Sequence, residues 1–240
     1  MSLSEHYDAK YPTLTEGFDQ VPPLNLPPRD RIAACRAFLP QHFRGGSVLE
    51  LGGNEGRLIR ALIHDQVQFD RYVLTDLSAV RLTGVAESIG DPRVEVRALD
   101  ADRLSDESGQ YDAILAIALI EHLIDPFAAL RECRRLLNPG GLVYIDTPNV
   151  AKWTRRIKLL RGHFPSTSSL NEGLDDYEGR ALSVHDDGHL HYFTYASLEG
   201  YLRRVDFSDF HRYGYALRHA TPKLAHHWPT LFSELCLVAR

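Results

Sequence analysis

From Ser47 to Thr147 the chain alternates short apolar runs with stretches of helical periodicity, and this rhythm is its most restrictive feature. SVLEL at 47–51, RYVLT at 71–75, Arg93–Leu99, YDAILAI at 111–117 and LVYIDT at 142–147 read as five strands. YDAILAI is apolar almost throughout, as a strand buried on both faces has to be. Between the strands, Arg57–His64 reads as helix, and Ser78 is a natural N-cap for a helix carrying Leu82, Val85, Ala86 and Ile89 on one face. Asp125-Pro126 pairs a capping acid with Pro at the first helical position, and Asn138-Pro139-Gly140-Gly141 ends that helix. Strands joined through helices need crossover connections, which are right-handed. The expectation is therefore a doubly wound α/β fold with a mostly parallel sheet.

The flanks break the rhythm. Residues 1–28 are rich in Pro, Tyr and acids and read as an arm; Ile32, Cys35, Phe38 and Leu39 then fall at helical spacing. We expect an N-terminal arm and helix over 1–45 and one main domain over 46–240. Residues 148–192 show no clean strand and include RGHFPSTSSLNEG, so they read as an insert. Thr194 caps a helix carrying Leu198, Leu202 and Val205. Phe207–Tyr213 and Phe232–Ala239 look like closing strands, antiparallel at the sheet edge because no clear crossover helix lies between them.

Composition excludes several classes. With 240 residues, 44% hydrophobic and 25% charged, the chain can bury a sizeable core and is not natively disordered. A net charge of -5 supplies no broad basic field, so nucleic acid is not an expected partner, although Lys152, Arg155, Arg156, Lys158 and Arg161 cluster. Cys35, Cys133 and Cys236 form no pair at metal-ligand or CxxC spacing and read as buried thiols in a reducing compartment. No apolar run reaches the roughly 18 residues of a membrane span, and MSLSEHYDAK lacks a signal-peptide core. A cytoplasmic protein is expected; oligomeric state has no sequence signal.

The chemistry concentrates in VLELGGNEGRL at 48–58, where a strand ends in Glu50 and a glycine-rich turn runs straight into a helix. Glycine lets backbone pass close under a ligand, and a helix start offers free N–H groups. A tight βα turn without a ligand has the same appearance. Asp76 follows Gly56 by 20 residues at the end of the second strand, where an acid can accept both hydroxyls of a ribose or simply cap the next segment. The dinucleotide pattern G-x-G-x-x-G does not fit, because Asn54 and Arg57 stand where glycines belong. Glu50 and Glu55 suit a cationic cofactor without phosphates better.

On these residues, 47–147 resembles the core of a class I S-adenosylmethionine-dependent methyltransferase of the ubiquinone-biosynthesis-like, small-molecule group. Glu50, Gly52, Gly53, Asn54 and Gly56 align with its first motif, roughly E-x-G-C-G-x-G, and Asp76 in VLTDLS with its ribose-binding acid. Asp100-Ala101 resembles the pair that holds the adenine amino group. Residues 111–149 resemble its fourth and fifth strands, with Glu121-His122, Asp125-Pro126 and Pro139-Gly140-Gly141 in place, and HLHYFTYASLEGYLRRVDF at 189–207 resembles the segment leading into its last helix and strand. The resemblance implies a Rossmann-like, mostly parallel seven-stranded sheet with an antiparallel strand at the edge. It also implies S-adenosyl-L-methionine as cofactor, with Glu50, Gly52, Gly53, Asn54, Gly56, Asp76, Leu77, Asp100, Ala101 and Ile117 around it. Asn54 replaces the middle glycine, and Asn tolerates a left-handed backbone better than most other residues.

The expected reaction is methyl transfer to a small molecule, with oxygen favoured over nitrogen and a sugar, glycan precursor or phenol as acceptor. A hydroxyl needs a base, and among the twelve histidines His122, His189 and His191 stand at suitable places. On a strand His189 and His191 would share a face, and with Asp186 and Asp187 nearby they also have the makings of a metal site, but we expect acceptor contacts and no metal. The insert is expected to act as a lid over the acceptor, with a mobile centre at 166–172. The alternatives are a nicotinamide-dependent oxidoreductase and a non-catalytic member of the fold.

Overall fold

The computed structural model describes residues 21–167, 189–215 and 222–240. Helix α1 (Arg31–His42) precedes β1 (Ser47–Leu51), α2 (Arg57–His64), β2 (Arg71–Asp76), α3 (Val85–Ile89), β3 (Val94–Ala98) and a 3-10 turn at Ala101–Asp106. Then follow β4 (Tyr111–Ile117), α4 (Pro126–Leu136), β5 (Leu137–Thr147), α5 (Trp153–Leu160), α6 (Tyr195–Arg203), β6 (Phe210–Tyr213), the short helices α7 (Pro222–His227) and α8 (Pro229–Phe232), and β7 (Leu235–Ala239).

The sheet has seven strands in the order β3-β2-β1-β4-β5-β7-β6. All pairs from β3 to β5 are parallel, and β7 runs antiparallel to both β5 and β6. The closing antiparallel pair therefore lies at the edge, with β7 hydrogen-bonded on both sides. The carboxyl ends of β1, β2, β4 and β5 share one sheet edge.

Alternation along the strands divides the core into two layers. Leu49, Ile114, Val143 and Leu237 pack on one face with Leu130 and Cys133 of α4 and Leu198 and Leu202 of α6. Val48, Tyr72, Leu115, Tyr144 and Cys236 pack on the other with Cys35 and Leu39 of α1 and Leu58 and Leu62 of α2. All three cysteines are free and buried.

The helix expected from Ser78 is shorter than its periodicity suggests. Gly84 at φ +75° starts α3 and Gly90 at φ +68° ends it, while Ser78 Oγ accepts from the Arg81 N–H at 3.2 Å and organises a turn instead. β5 starts at Leu137, earlier than expected, because Leu137 pairs with Tyr111 across a register shift. The insert contributes α5; its segment 168–188, including Asp186, Asp187 and most of the Ser-rich stretch, lies outside the described residues. The insert's near end is tied to the sheet by Glu234. Burial works to raise the Glu234 pKa, but Arg155 and Lys152 outweigh it and hold the carboxyl below its usual range. Lys152 Nζ lies 2.8 Å away and Arg155 Nη1 2.9 Å, and the Asn149 N–H donates at 3.1 Å.

Ile114 is fully buried at the centre of the sheet. Ile114→Ala should cost about 2–5 kcal/mol in urea unfolding, the range for a buried aliphatic cut to a methyl.

Candidate functional site

β1 stops at Leu51, and the chain reverses through a turn that holds Gly52 at φ +70°, Asn54 at +54° and Gly56 at +77°. The turn is closed by the Gly53 N–H donating to Thr75 O at 2.8 Å and the Gly56 N–H donating to Gly53 O at 3.0 Å. A Cβ on Gly53 would fall 2.8 Å from Glu50 Cδ, so glycine here leaves room for the Glu50 side chain. Asn54 holds the left-handed conformation expected of it, with its Oδ1 accepting from Arg81.

Asp76 joins two loops at the end of β2. Its Oδ2 accepts from the Asn54 N–H and its Oδ1 from the Ser78 N–H, both at 3.0 Å. The capping role is thus real, yet each carboxylate oxygen keeps capacity for a further donor. Asp100 caps the 3-10 turn through the Asp102 N–H at 3.0 Å, and Asp102 in turn accepts from the Ile124 N–H at 2.9 Å and the Asp125 N–H at 3.2 Å. Asp76 thus joins the loops after β1 and β2, Asp102 joins those after β3 and β4, and the Leu99 N–H donating to Asp76 O at 2.9 Å connects the two pairs. The cleft they enclose is about 240 Å³ and is lined by Gly52, Asn54, Asp76, Leu77, Asp100, Ala101, His122 and the unanticipated Arg81. Ala118, on the same wall, holds φ +51°, an uncommon backbone state for a residue with a Cβ.

A second cavity, about 730 Å³, adjoins the first across the shared residues Gly52 and Asn54. Its walls include Glu50, Gly53, Ile117, Arg31, Arg57, Thr167 and His189. Of the ten residues expected around a cofactor, all but Gly56 line one cavity or the other; Gly56 N-caps α2. Arg31 reaches back so that its Nε lies 3.3 Å from Asp146 Oδ1, tying α1 to the end of β5. Burial pushes the Asp146 carboxyl up to about 8, against the opposing pull of Arg31 and of the Tyr215 hydroxyl at 2.9 Å.

The three expected histidines separate. His122, just beyond β4, and His189, at the far end of the insert, bring their rings together with centroids 4.7 Å apart in a T-shaped arrangement. His189 Nδ1 also pairs with Thr167 Oγ1 at 2.6 Å. His191 is not brought into either cavity: its ring packs near Phe193 and its Nε2 lies 3.3 Å from Ile124 O. Residues 189–192 are not a strand, so the two-residue spacing does not put His189 and His191 on one face. Arg31 and Arg81 had no local signal, because only the packing of α1 and of the loop after β2 carries them to the cavity walls.

Glu50 is buried beneath the turn. Burial raises its carboxyl to about 7, the Tyr72 hydroxyl donating to Oε2 at 2.7 Å opposes the rise, and the Asp76 charge adds to it. The folded chain therefore holds this proton more tightly than the unfolded chain does. Stability must fall as pH rises from the ordinary 4.5 through about 7, because the folded state then has to ionise a buried acid. Glu50→Gln should accordingly gain stability relative to the parent across that window. Urea unfolding of both proteins at several pH values measures it, and a pH-independent difference would contradict the assignment.

Residues 28–211 match a family described as Methyltransferase domain. Over 109 residues the chain is 32% identical to the ubiquinone biosynthesis O-methyltransferase of Bordetella avium, and it covers 44% of that relative, so it spans under half the length of the curated protein it matches. Among solved structures it resembles the phosphoethanolamine N-methyltransferase 2 of Haemonchus contortus in complex with S-adenosyl-L-methionine (TM-score 0.54, 19% identity, 74% of this chain and 37% of that one). The [4+2]-cyclase SpnF is similar at a TM-score of 0.52 and 18% identity, over 74% of this chain and 59% of that one. At these identities the structural likenesses establish the fold. The left-handed turn and the acid at the end of β2 would serve a nicotinamide cofactor as well, and it is the family match that sets the nicotinamide-dependent alternative aside: the chain belongs to the S-adenosylmethionine-dependent methyltransferase-domain family.

Proposed function

We propose that this chain transfers the methyl group of S-adenosyl-L-methionine to a hydroxyl of a small molecule, a sugar, glycan precursor or phenol. The observation that carries the proposal is the pair of adjoining cavities at the carboxyl edge of the sheet, meeting at Gly52 and Asn54. The smaller cleft suits the adenosine. Asp76 accepts from the ribose hydroxyls and Asp100 from the adenine amino group, with the Ala101 N–H near a ring nitrogen. The larger cavity takes the methionine end, beside Glu50, Gly53 and Ile117, and the acceptor. A sulfonium supplies an activated methyl, so the chain chiefly aligns the acceptor oxygen, the methyl carbon and the sulfur in line. The carbon–sulfur bond breaks as the carbon–oxygen bond forms, S-adenosylhomocysteine leaves, and the hydroxyl proton has to be removed. His189 on the acceptor side and His122 on the cofactor side bracket the place where that proton is lost. The oxygen preference agrees with the activity named for the Bordetella avium relative. The insert approaches the acceptor cavity at Thr167 and His189, which supports its reading as a cover.

Hydrogen bonds to a charged group contribute roughly 1.5–3 kcal/mol, so Asp76→Ala should weaken S-adenosylhomocysteine binding about 10- to 150-fold in calorimetric titration. Gly52→Val should abolish it: the position is left-handed, and a Cβ would already lie 3.1 Å from Leu119 Cδ1. Affinities within about twofold of the parent for both variants would contradict the site. His189→Ala should lower methyl transfer to a panel of phenols and sugars by about 10²–10⁴-fold while leaving S-adenosylhomocysteine affinity nearly unchanged. Normal turnover of that variant would favour a nitrogen acceptor or positioning alone.

A further inference from the structure

Glu121 follows β4 and is almost wholly buried. Its Oε2 accepts from the Thr147 hydroxyl at 2.8 Å, but Oε1, equally buried, has no hydrogen-bond partner among the described residues. A buried carboxylate oxygen left without a donor is costly, and such atoms commonly mark the place of a missing ion or ligand. Beside it stand the two imidazoles already described. One ligand atom from each of Glu121, His122 and His189 lies within 4.8 Å of the other two.

These three residues come from distant parts of the chain, and the structure fastens them together. The Leu190 and His191 N–H groups both donate to Glu121 O, at 2.8 and 3.1 Å, which pins the end of the insert against the loop after β4. Thr167 holds His189 through Nδ1, and Thr147 holds Glu121 through Oε2, so each of these side chains is oriented by a second residue. Such supporting contacts are characteristic of metal ligands. The expectation of no metal arose because the sequence alone offered His189 and His191 with Asp186 and Asp187; the fold instead assembles His189 with Glu121 and His122.

We propose that Glu121, His122 and His189 bind one divalent metal ion of the zinc and cobalt class, with an open coordination position toward the acceptor hydroxyl. Two imidazoles and one carboxylate form a donor set suited to borderline ions and leave such a position vacant. His122 lines the cofactor-side cleft and His189 the acceptor-side cavity, so the ion would stand at the junction where methyl and acceptor meet. A cation there lowers the pKa of a bound hydroxyl, which loses its proton to solvent and presents an oxyanion to the methyl group. This rests on the acceptor-site reading above, and it recasts the two histidines as ligands rather than bases.

The test is direct binding to the full chain. After treatment with a chelator, the parent should take up one equivalent of Co²⁺, followed by its visible absorption, and one of Zn²⁺, followed by calorimetry. His189→Ala and Glu121→Gln should each weaken uptake by at least about 10- to 100-fold, and Thr167→Val should weaken it less than either. His189 is partly exposed, so its alanine variant should fold, and melting curves verify all three. No uptake by the parent, or equal uptake by the parent and His189→Ala, would overturn the site. S-adenosylhomocysteine binding by the metal-free parent is measured separately. Its loss would sink the cofactor reading, whereas retention without Co²⁺ or Zn²⁺ uptake would sink only the metal site.

Discussion

The site depends on the Asp76 carboxylate, which accepts from the N–H of Asn54 on one side and of Ser78 on the other. Those two bonds hold the glycine-rich turn and the loop after β2 at a set separation, and the cleft is the space between them. Hydrogen bonds to a charged acceptor are about twice as strong as neutral ones, so one side chain can hold two irregular segments in place. Asp100 and Asp102 repeat the device after β3, and Asp102 carries it on to the loop after β4. Short acids thus build one wall of the cleft from four loops, Asp76 joining those after β1 and β2 and Asp102 those after β3 and β4.

Behind that wall lies a row of buried acids whose charges are managed in different ways. Glu234 is kept ionised by Lys152 and Arg155, and in return it anchors the start of the insert. Glu50 and Asp146 are pushed upward by burial, with only partial compensation from Tyr72 for the first and from Arg31 and Tyr215 for the second. Glu121 is likewise raised by burial, although His122, Thr147 and Arg31 oppose the rise. Sheet packing alone does not call for ionisable groups at such depth. Perturbed acids of this kind concentrate where a fold binds or transforms something; here Glu50 lines the larger cavity, Asp146 pairs with Arg31 on its wall, and Glu121 precedes His122, which lines the smaller cleft.

The fold by itself does not choose the reaction, since chains of this architecture include one named for a cycloaddition and others named for methyl transfer to nitrogen. The larger cavity takes part of its lining from outside the repeating βα core: Arg31 from α1, and Thr167 and His189 from either end of the segment between α5 and α6.

The five parallel strands of the sheet and most residues of the smaller cleft were legible in the residue pattern alone. Apolar runs, capping residues and glycines act through neighbours a few positions away, and those neighbours are written beside them. The turn at 52–56 and Asp76 were legible for that reason, as was the left-handed tolerance of Asn54. Where local signals misled, longer contacts prevailed: Gly84 cut short the helix expected from Ser78, and His191 turned to the Ile124 carbonyl because residues 189–192 form no strand. That Arg81 and Arg31 line the cavities, and that His189 meets His122 and Glu121 rather than His191, follows from long-range packing. Those meetings depend on where α1, Thr167 and His189 come to lie against the ends of the strands, and no periodicity encodes the distance between side chains so far apart in the chain.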